Sequence, residues 1–360
     1  MKKALCILLA SVMCLSFVAC GKKKTDDTEK TTNSTVAQTT TEAKILNPLT
    51  GESGFDAKKL NKKPVAVMIN NISVAQKVQT GVGDADMVIE TLAEGGITRL
   101  MAVYADISKV DQIGSVRSAR ISYAQLAAGF DAFYIHCGAD NKYCSSSYRS
   151  SLGVVSLDLG SNAASIGKRI SNGLASEHTL YTFGSSVASF IKEKNNKIKD
   201  SAKNVYKFND EDKPEKFANS AKNISIKLSS AQTTHLRYNS DDRKYIRGNS
   251  SANLVDYKTG GKERFKNVLV LYTNVHSLSD GYHMQTDFGT GSGYYFSEGS
   301  YKKIKWSKTS ETAPLKFFNT DGSDLKLNAG NSYITFADTD NESALVIEPF
   351  PEATTTTVAQ

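Results

Sequence analysis

The chain has 360 residues, 40% apolar and 22% charged, with 44 basic and 37 acidic side chains and a net charge of +7. This composition excludes a wholly disordered chain, and six Pro and 25 Gly exclude collagen-like or Pro-rich repeats. The single long apolar stretch lies at the N-terminus, so a multi-span membrane protein is excluded, and the length predicts two domains.

Residues 1–19 read as a signal peptide: Lys2 and Lys3, an apolar run from Ala4 to Val18, then Ala19. Val18-Ala19-Cys20 resembles the lipobox of bacterial lipoproteins, and Cys20 is the expected lipid attachment point. A diacylglyceryl group with an added N-acyl chain, palmitate or similar, holds a protein stably at a membrane. Cleavage there leaves 42 bases facing 37 acids, too weak a field and too scattered for nucleic acid. Residues 20–46 carry the lipidated Cys and a Thr-rich disordered stalk, and 351–360 form a similar tail. The expected location is the cell membrane, lipid-anchored and facing outside the cytoplasm.

Residues 47–200 alternate apolar runs and helical spacings. Val65–Ile69 reads as a buried strand. Met87–Ala93 and Ile97–Ala105 flank Gly95-Gly96 as a hairpin, and Ser118–Phe130 as a helix. Ala132–Ile135 reads as a strand, and Ala163–Ile170 and Ser185–Lys194 as helices. Residues 201–221 are polar and read as a linker. From 222 to 350, short apolar runs between Gly, Asn, Asp and Ser turns predict a small barrel or sandwich, with Gly289–Gly293 as a turn. The fold class is an α/β (or α+β) N-terminal domain followed by a smaller all-β C-terminal domain.

No zinc spacing involves the five His, no nucleophile elbow or P-loop is present, and no metal or cofactor is expected. Beyond Cys20, the mature chain holds Cys137 and Cys144, able to bridge one loop or to stay free. In the hairpin, regular pairing places Glu94 opposite Ile97, Leu92 opposite Arg99 and Glu90 opposite Met101, with Arg99 diagonal to both carboxylates. A salt-bridge ladder in solvent and the polar wall of a cleft both fit. Gly114-Ser-Val-Arg-Ser-Ala-Arg120 precedes the helix, with Ser115 or Ser118 as cap and Arg117 and Arg120 on one side of the first turn. Cations oppose the dipole there, so an anion is expected to rest on them, either a ligand or an internal carboxylate. His136 at a strand end and His178 in Ser176-Glu-His-Thr-Leu-Tyr181 are candidates to join the cluster.

These residues also resemble the YerB-type family of bacterial lipoproteins, an uncharacterised family found mainly in Gram-positive bacteria. The resemblance rests on Asn47-Pro-Leu-Thr-Gly51, Pro64-Val-Ala-Val-Met-Ile-Asn-Asn71, Asp84-Ala-Asp-Met-Val-Ile-Glu90, Glu94-Gly-Gly-Ile-Thr-Arg99 and Gly114–Arg120. Tyr134-Ile-His136, Gly138, His178 and Leu180-Tyr181 follow in order, with Tyr245, Arg247, Asn267-Val268, Gly291 to Gly293, Phe296 and Trp306 in the second region. Lys63, Ser115 and Thr179 depart from the family's pattern. The resemblance implies a two-domain, membrane-anchored exported protein of unassigned activity.

The leading expectation is a non-catalytic binding protein for an anionic ligand or an envelope protein. Arg117 and Arg120 would form its floor, and Arg99, Glu90, Glu94, His136 and His178 its walls. The alternatives are an enzyme acting on envelope polymers with a Glu/His acid–base pair, and a scaffold for another envelope protein.

Overall fold

The computed structural model describes residues 44–194, 205–339 and 344–351. The signal segment, Cys20, nearly all of the stalk, the start of the linker and the tail beyond Pro351 lie outside the described residues.

Val65–Asn70 is buried at every position, as its apolar sequence requires, and sits deep in an 11-stranded sheet. From one edge the order is Asn219–Ser220, Ser300–Ser307, Thr290–Ser297, Asn267–Thr273, Ser332–Asp338, Met87–Glu94, Ile97–Tyr104, Val65–Asn70, Phe133–His136 and Val155–Asp158. Lys316–Phe318 pairs with Ser300–Ser307 outside this path. The two sequence regions meet inside the sheet, where Met87–Glu90 lies parallel to Ser332–Thr335. Among the described residues, Val65–Asn70, Phe133–His136 and Val155–Asp158 run parallel to one another. The N-terminal region therefore combines helices with this sheet, and the C-terminal region is mostly strand.

A second sheet, Arg264–Phe265, Lys244–Gly248, Thr233–Asn239, Asn223–Lys227 and Leu345–Glu348, supplies Ile224, Ile226, Leu236 and Tyr245 to one apolar layer. That layer takes Val67, Ile69, Leu100 and Val270 from the large sheet. A second layer contains Met68, Ile89 and Met101 together with Tyr123, Ala124 and Ala127 of the Ile121–Phe130 helix. All but the first residue of that helix are buried. Each large apolar side chain so removed from water contributes about 1.5–3 kcal/mol.

Several expected elements differ. A separate small barrel does not form, because Asn267–Thr273 is buried throughout and needs strand partners and a layer on both faces. Of the polar stretch 201–221, Lys207–Phe208 and Asn219–Ser220 pair with strands of the second region. Ala163–Ile170 is a single turn of 3-10 helix, Ala164–Ile166, followed by the strand Gly167–Arg169. Gly291 and Gly293 lie inside a strand rather than a turn: a Cβ at Gly291 would stand 2.5 Å from the Trp306 ring, and one at Gly293 2.4 Å from Val270 O. Cys137 and Cys144 are free thiols, Cys144 buried.

Candidate functional site: an arginine cluster ahead of the buried helix

The hairpin turns on Gly95 and Gly96, with φ of 53° and 79°, as a two-residue turn of primed type requires. Glu94 pairs with Ile97 as expected, but a bulge between Leu92 and Glu94 moves the remaining register by one residue. Leu92 now faces Thr98, Thr91 faces Arg99 and Glu90 faces Leu100. Tyr123 occupies the irregularity: its hydroxyl accepts from Thr91 N and reaches Thr91 O, both at 2.9 Å, and bonds Arg99 O. The expected placement of Arg99 between Glu90 and Glu94 is therefore corrected. Alternation sends Glu90 and Arg99 to opposite faces, and the bulge returns Glu94 to the Arg99 side.

Glu94 bonds the Arg99 guanidinium and accepts from Arg120 Nε at 2.7 Å. Arg99 also donates to Ser118 O. Arg117 and Arg120 do not sit in the first helical turn, since the helix begins at Ile121. Arg120 is its N-cap in extended conformation, and no side chain caps it, so neither Ser115 nor Ser118 has the expected role. Val116 bridges to Ile69 and Ala119 to Ala139, and the segment is extended. Arg117 reaches outward to Glu177, with Nη1 3.2 Å from Oε2. On the other carboxyl oxygen, His178 Nε2 lies 3.2 Å from Glu177 Oε1, while Asn70 Nδ2 donates to His178 Nδ1 at 2.8 Å.

The electrostatics follow from burial. Desolvation raises the Glu94 carboxyl, but the Arg99 and Arg120 guanidiniums outweigh it and hold it below the usual carboxylate range. Burial pushes Arg99 down to about 10; Arg120 and Arg117 repel its charge and Glu94 supports it. One buried carboxylate thus serves two guanidiniums, while Arg117 and Arg120 keep side-chain exposures of 24% and 13%.

The structure brings Arg99, Glu94 and Arg120 together and joins Arg117 to His178 through Glu177; it leaves Glu90 and His136 elsewhere. His136 ends its strand as expected and bonds Ser156 and the Gly138 carbonyl. Among the described residues neither Glu90 nor Glu94 makes a hydrogen bond or ion pair to a histidine side chain, and Glu90, Glu94 and His136 are each held by other partners.

Glu90 lies within a buried polar set that sequence reasoning missed. Its Oε1 accepts from Thr98 Oγ1 at 2.6 Å, Asn71 Nδ2 at 2.7 Å and Gln232 Nε2 at 3.1 Å. Its Oε2 accepts from Thr234 Oγ1 at 2.8 Å and from Tyr333. Beside it, Arg247 donates to Asn71 Oδ1 at 2.5 Å and to Glu263 at 2.7 Å, both ions being 1% exposed. The set spans residues over two hundred positions apart, and no local pattern announces it. No group able to hold a metal ion occurs among the described residues, and no described helix is long and apolar enough to cross a membrane.

The chain resembles known proteins over most of its length. Residues 49–199 match the N-terminal domain, and residues 224–334 the C-terminal domain, of a family described as protein of unknown function DUF3048. A Bacillus subtilis (strain 168) protein named "Putative lipoprotein YerB" is 27% identical over 302 residues, 82% of this chain and 86% of its own length. The crystal structure of the YerB protein from Bacillus subtilis aligns with a TM-score of 0.71 and 24% identity, covering 85% of this chain and all of that one. With both domains matched in order, the chain belongs to the DUF3048 family, the family of YerB.

Proposed function

We propose that the protein is a lipid-anchored extracytoplasmic binding protein, attached through Cys20, whose N-terminal region accepts an anionic ligand at Arg117 and Arg120. The carrying observation is the surplus of positive charge: Arg99 and Arg120 share a single carboxylate, and Arg117 crowds the same field. An incoming carboxylate or phosphate would relieve the repulsion among these guanidiniums, which adds to burial in holding Arg99 low, and guanidinium forks match its geometry. Arg117 is the more open of the two, with a side chain 24% exposed and a partner, Glu177, 55% exposed.

Thermal unfolding in inorganic phosphate or citrate, against sodium chloride of equal ionic strength, tests this reading. Tm should rise with phosphate or citrate in the wild type, following mass action, and Arg117→Gln should lose the rise while keeping its Tm in chloride. A wild-type Tm that responds to phosphate and citrate only as it does to chloride overturns the reading.

A further inference from the structure

Away from the arginines, a cavity of about 500 Å³ is walled by Asn141, Ser146, Arg149, Ser156, Asp158 and Asn162. It runs along Val154, Ser156 and Asp158 on one face of the outermost strand and reaches Gly138 and Ala139, just beyond the carboxyl end of Phe133–His136. Tyr134 is in register with Ser156 and His136 with Asp158, so these four side chains share one face.

The geometry around Ser156 defines a proton path. His136 Nε2 lies 2.5 Å from Ser156 Oγ, and His136 Nδ1 lies 2.8 Å from Gly138 O. A carbonyl only accepts, so the ring proton resides on Nδ1 and Nε2 turns its lone pair to the hydroxyl. Asp158 Oδ1 holds the loop that supplies this carbonyl, accepting from Gly138 N at 2.9 Å and Gly160 N at 2.8 Å. It lies 4.0 Å from Nδ1, so it orients the imidazole through the backbone rather than by contact. Arg149, 6% exposed and anchored on Cys144 O, donates Nε to Ser156 Oγ at 3.0 Å. Ser156 itself is partly exposed, whereas His136 is wholly buried.

We propose that Ser156 is a nucleophile with His136 as its general base, acting on short acyl esters of hydroxyl-rich alcohols that enter this cavity. A hydroxyl, a base within hydrogen-bond reach and a group orienting the base form the arrangement that activates serine. Ser156 Oγ attacks the ester carbonyl carbon as its proton passes to His136 Nε2. The tetrahedral intermediate breaks its carbon–oxygen bond to the alcohol, which leaves with the proton from Nε2. Water then attacks the acyl-serine, gives one proton to Nε2, and releases the acid as that proton returns to Oγ. Burial lowers His136 to about 4; Asp158 and Gly138 O oppose this, Arg149 reinforces it, and the Tyr134 ring stands 5.2 Å away. So weak a base needs the developing alkoxide stabilised, which the Arg149 Nε–H does. The walls are hydroxyls, carboxamides, backbone and the charged Arg149 and Asp158, with Ala139 and Val154 the apolar lining, so a long acyl chain finds no apolar channel. The volume suits a small polar ester.

The test is fluorophosphonate labelling of the full chain in detergent, with the adduct located by tandem mass spectrometry. The expected result is an adduct on Ser156, absent in Ser156→Ala, unchanged by Ser147→Ala at an exposed serine outside the cavity lining, and slowed about 100-fold or more in His136→Gln. Its rate should hold from pH 8 to 5 and fall toward pH 4. p-Nitrophenyl acetate should be hydrolysed at least 10-fold faster than the decanoate, again dependent on Ser156. Natively folded wild-type protein, judged by near-UV circular dichroism, that forms no Ser156 adduct overturns the proposal even if His136→Gln fails to fold. A preference for the decanoate overturns the substrate class. Neither result bears on the phosphate and citrate response at Arg117.

Discussion

Two glutamates four residues apart in one strand show how much a side chain's surroundings decide. Glu94 is shared by two guanidiniums, whereas Glu90 is held by neutral donors from Asn71, Thr98, Gln232, Thr234 and Tyr333. Replacing either carboxylate by an amide keeps the shape and changes only charge and hydrogens. Glu94→Gln leaves Arg99 and Arg120 without their anion and should cost about 3–5 kcal/mol, the scale of a buried pair broken on one side. Because the native Glu94 pKa is depressed, its contribution is complete above the ordinary value of 4.5 and disappears as pH falls through the lowered one. Glu90→Gln turns amide hydrogens toward groups that are themselves donors, and should cost about 1–3 kcal/mol. Urea unfolding at pH 7 gives both magnitudes. The same measurement below pH 4.5 should show the wild-type acid limb flattened in Glu94→Gln.

The hairpin shows what a local pattern reveals and what it conceals. Its two strands and turn follow from alternation around Gly95-Gly96, and its first pair, Glu94 with Ile97, was legible in the sequence. The bulge was not, because an extra residue in one strand leaves no mark on composition. Beside it the Tyr123 hydroxyl bonds Thr91, arriving from a helix about thirty residues later. Arg117 and Arg120 were legible as a charged pair beside a helix start, and an internal carboxylate as partner was one of the readings open; Glu94 fills that place for Arg120 and Glu177 for Arg117. The extended path of Val116–Ala119, which sends one arginine inward and the other outward, depends on bridges to distant strands. The turn itself allows a prediction free of packing. A Cβ on Gly96 meets nothing nearer than 3.6 Å, so Gly96→Ala should cost about 1 kcal/mol through its positive φ alone. At Gly95 the added Cβ would stand 2.9 Å from the Tyr282 ring, and Gly95→Ala should lose clearly more. Urea midpoints at constant m-value separate the two.

At the scale of the whole molecule, the change from mixed to all-β composition is a true feature of the chain, yet its two halves share their largest sheet. Ser332–Thr335 lies against Met87–Glu90 across 245 residues of sequence, a pairing that no window of neighbouring residues records. The polar set around Glu90 and Arg247 crosses the same boundary, with Asn71 bonded to both. The segment near Lys308 closes over the buried helix, and a Cβ at Gly129 would stand 2.7 Å from Ala313 O. A region stripped of its partner would expose the edge of Met87–Glu94 and the donors around Glu90, so the two regions should unfold together. Trp306, the single tryptophan, reports on the second region through its fluorescence. Amide exchange at Met68 and Val103 reports on the first, where both residues lie in central strands. In urea titrations of the full chain the two signals should share one midpoint and one m-value. A first region that stays protected after Trp306 has lost its native emission would mean that the shared sheet does not couple them.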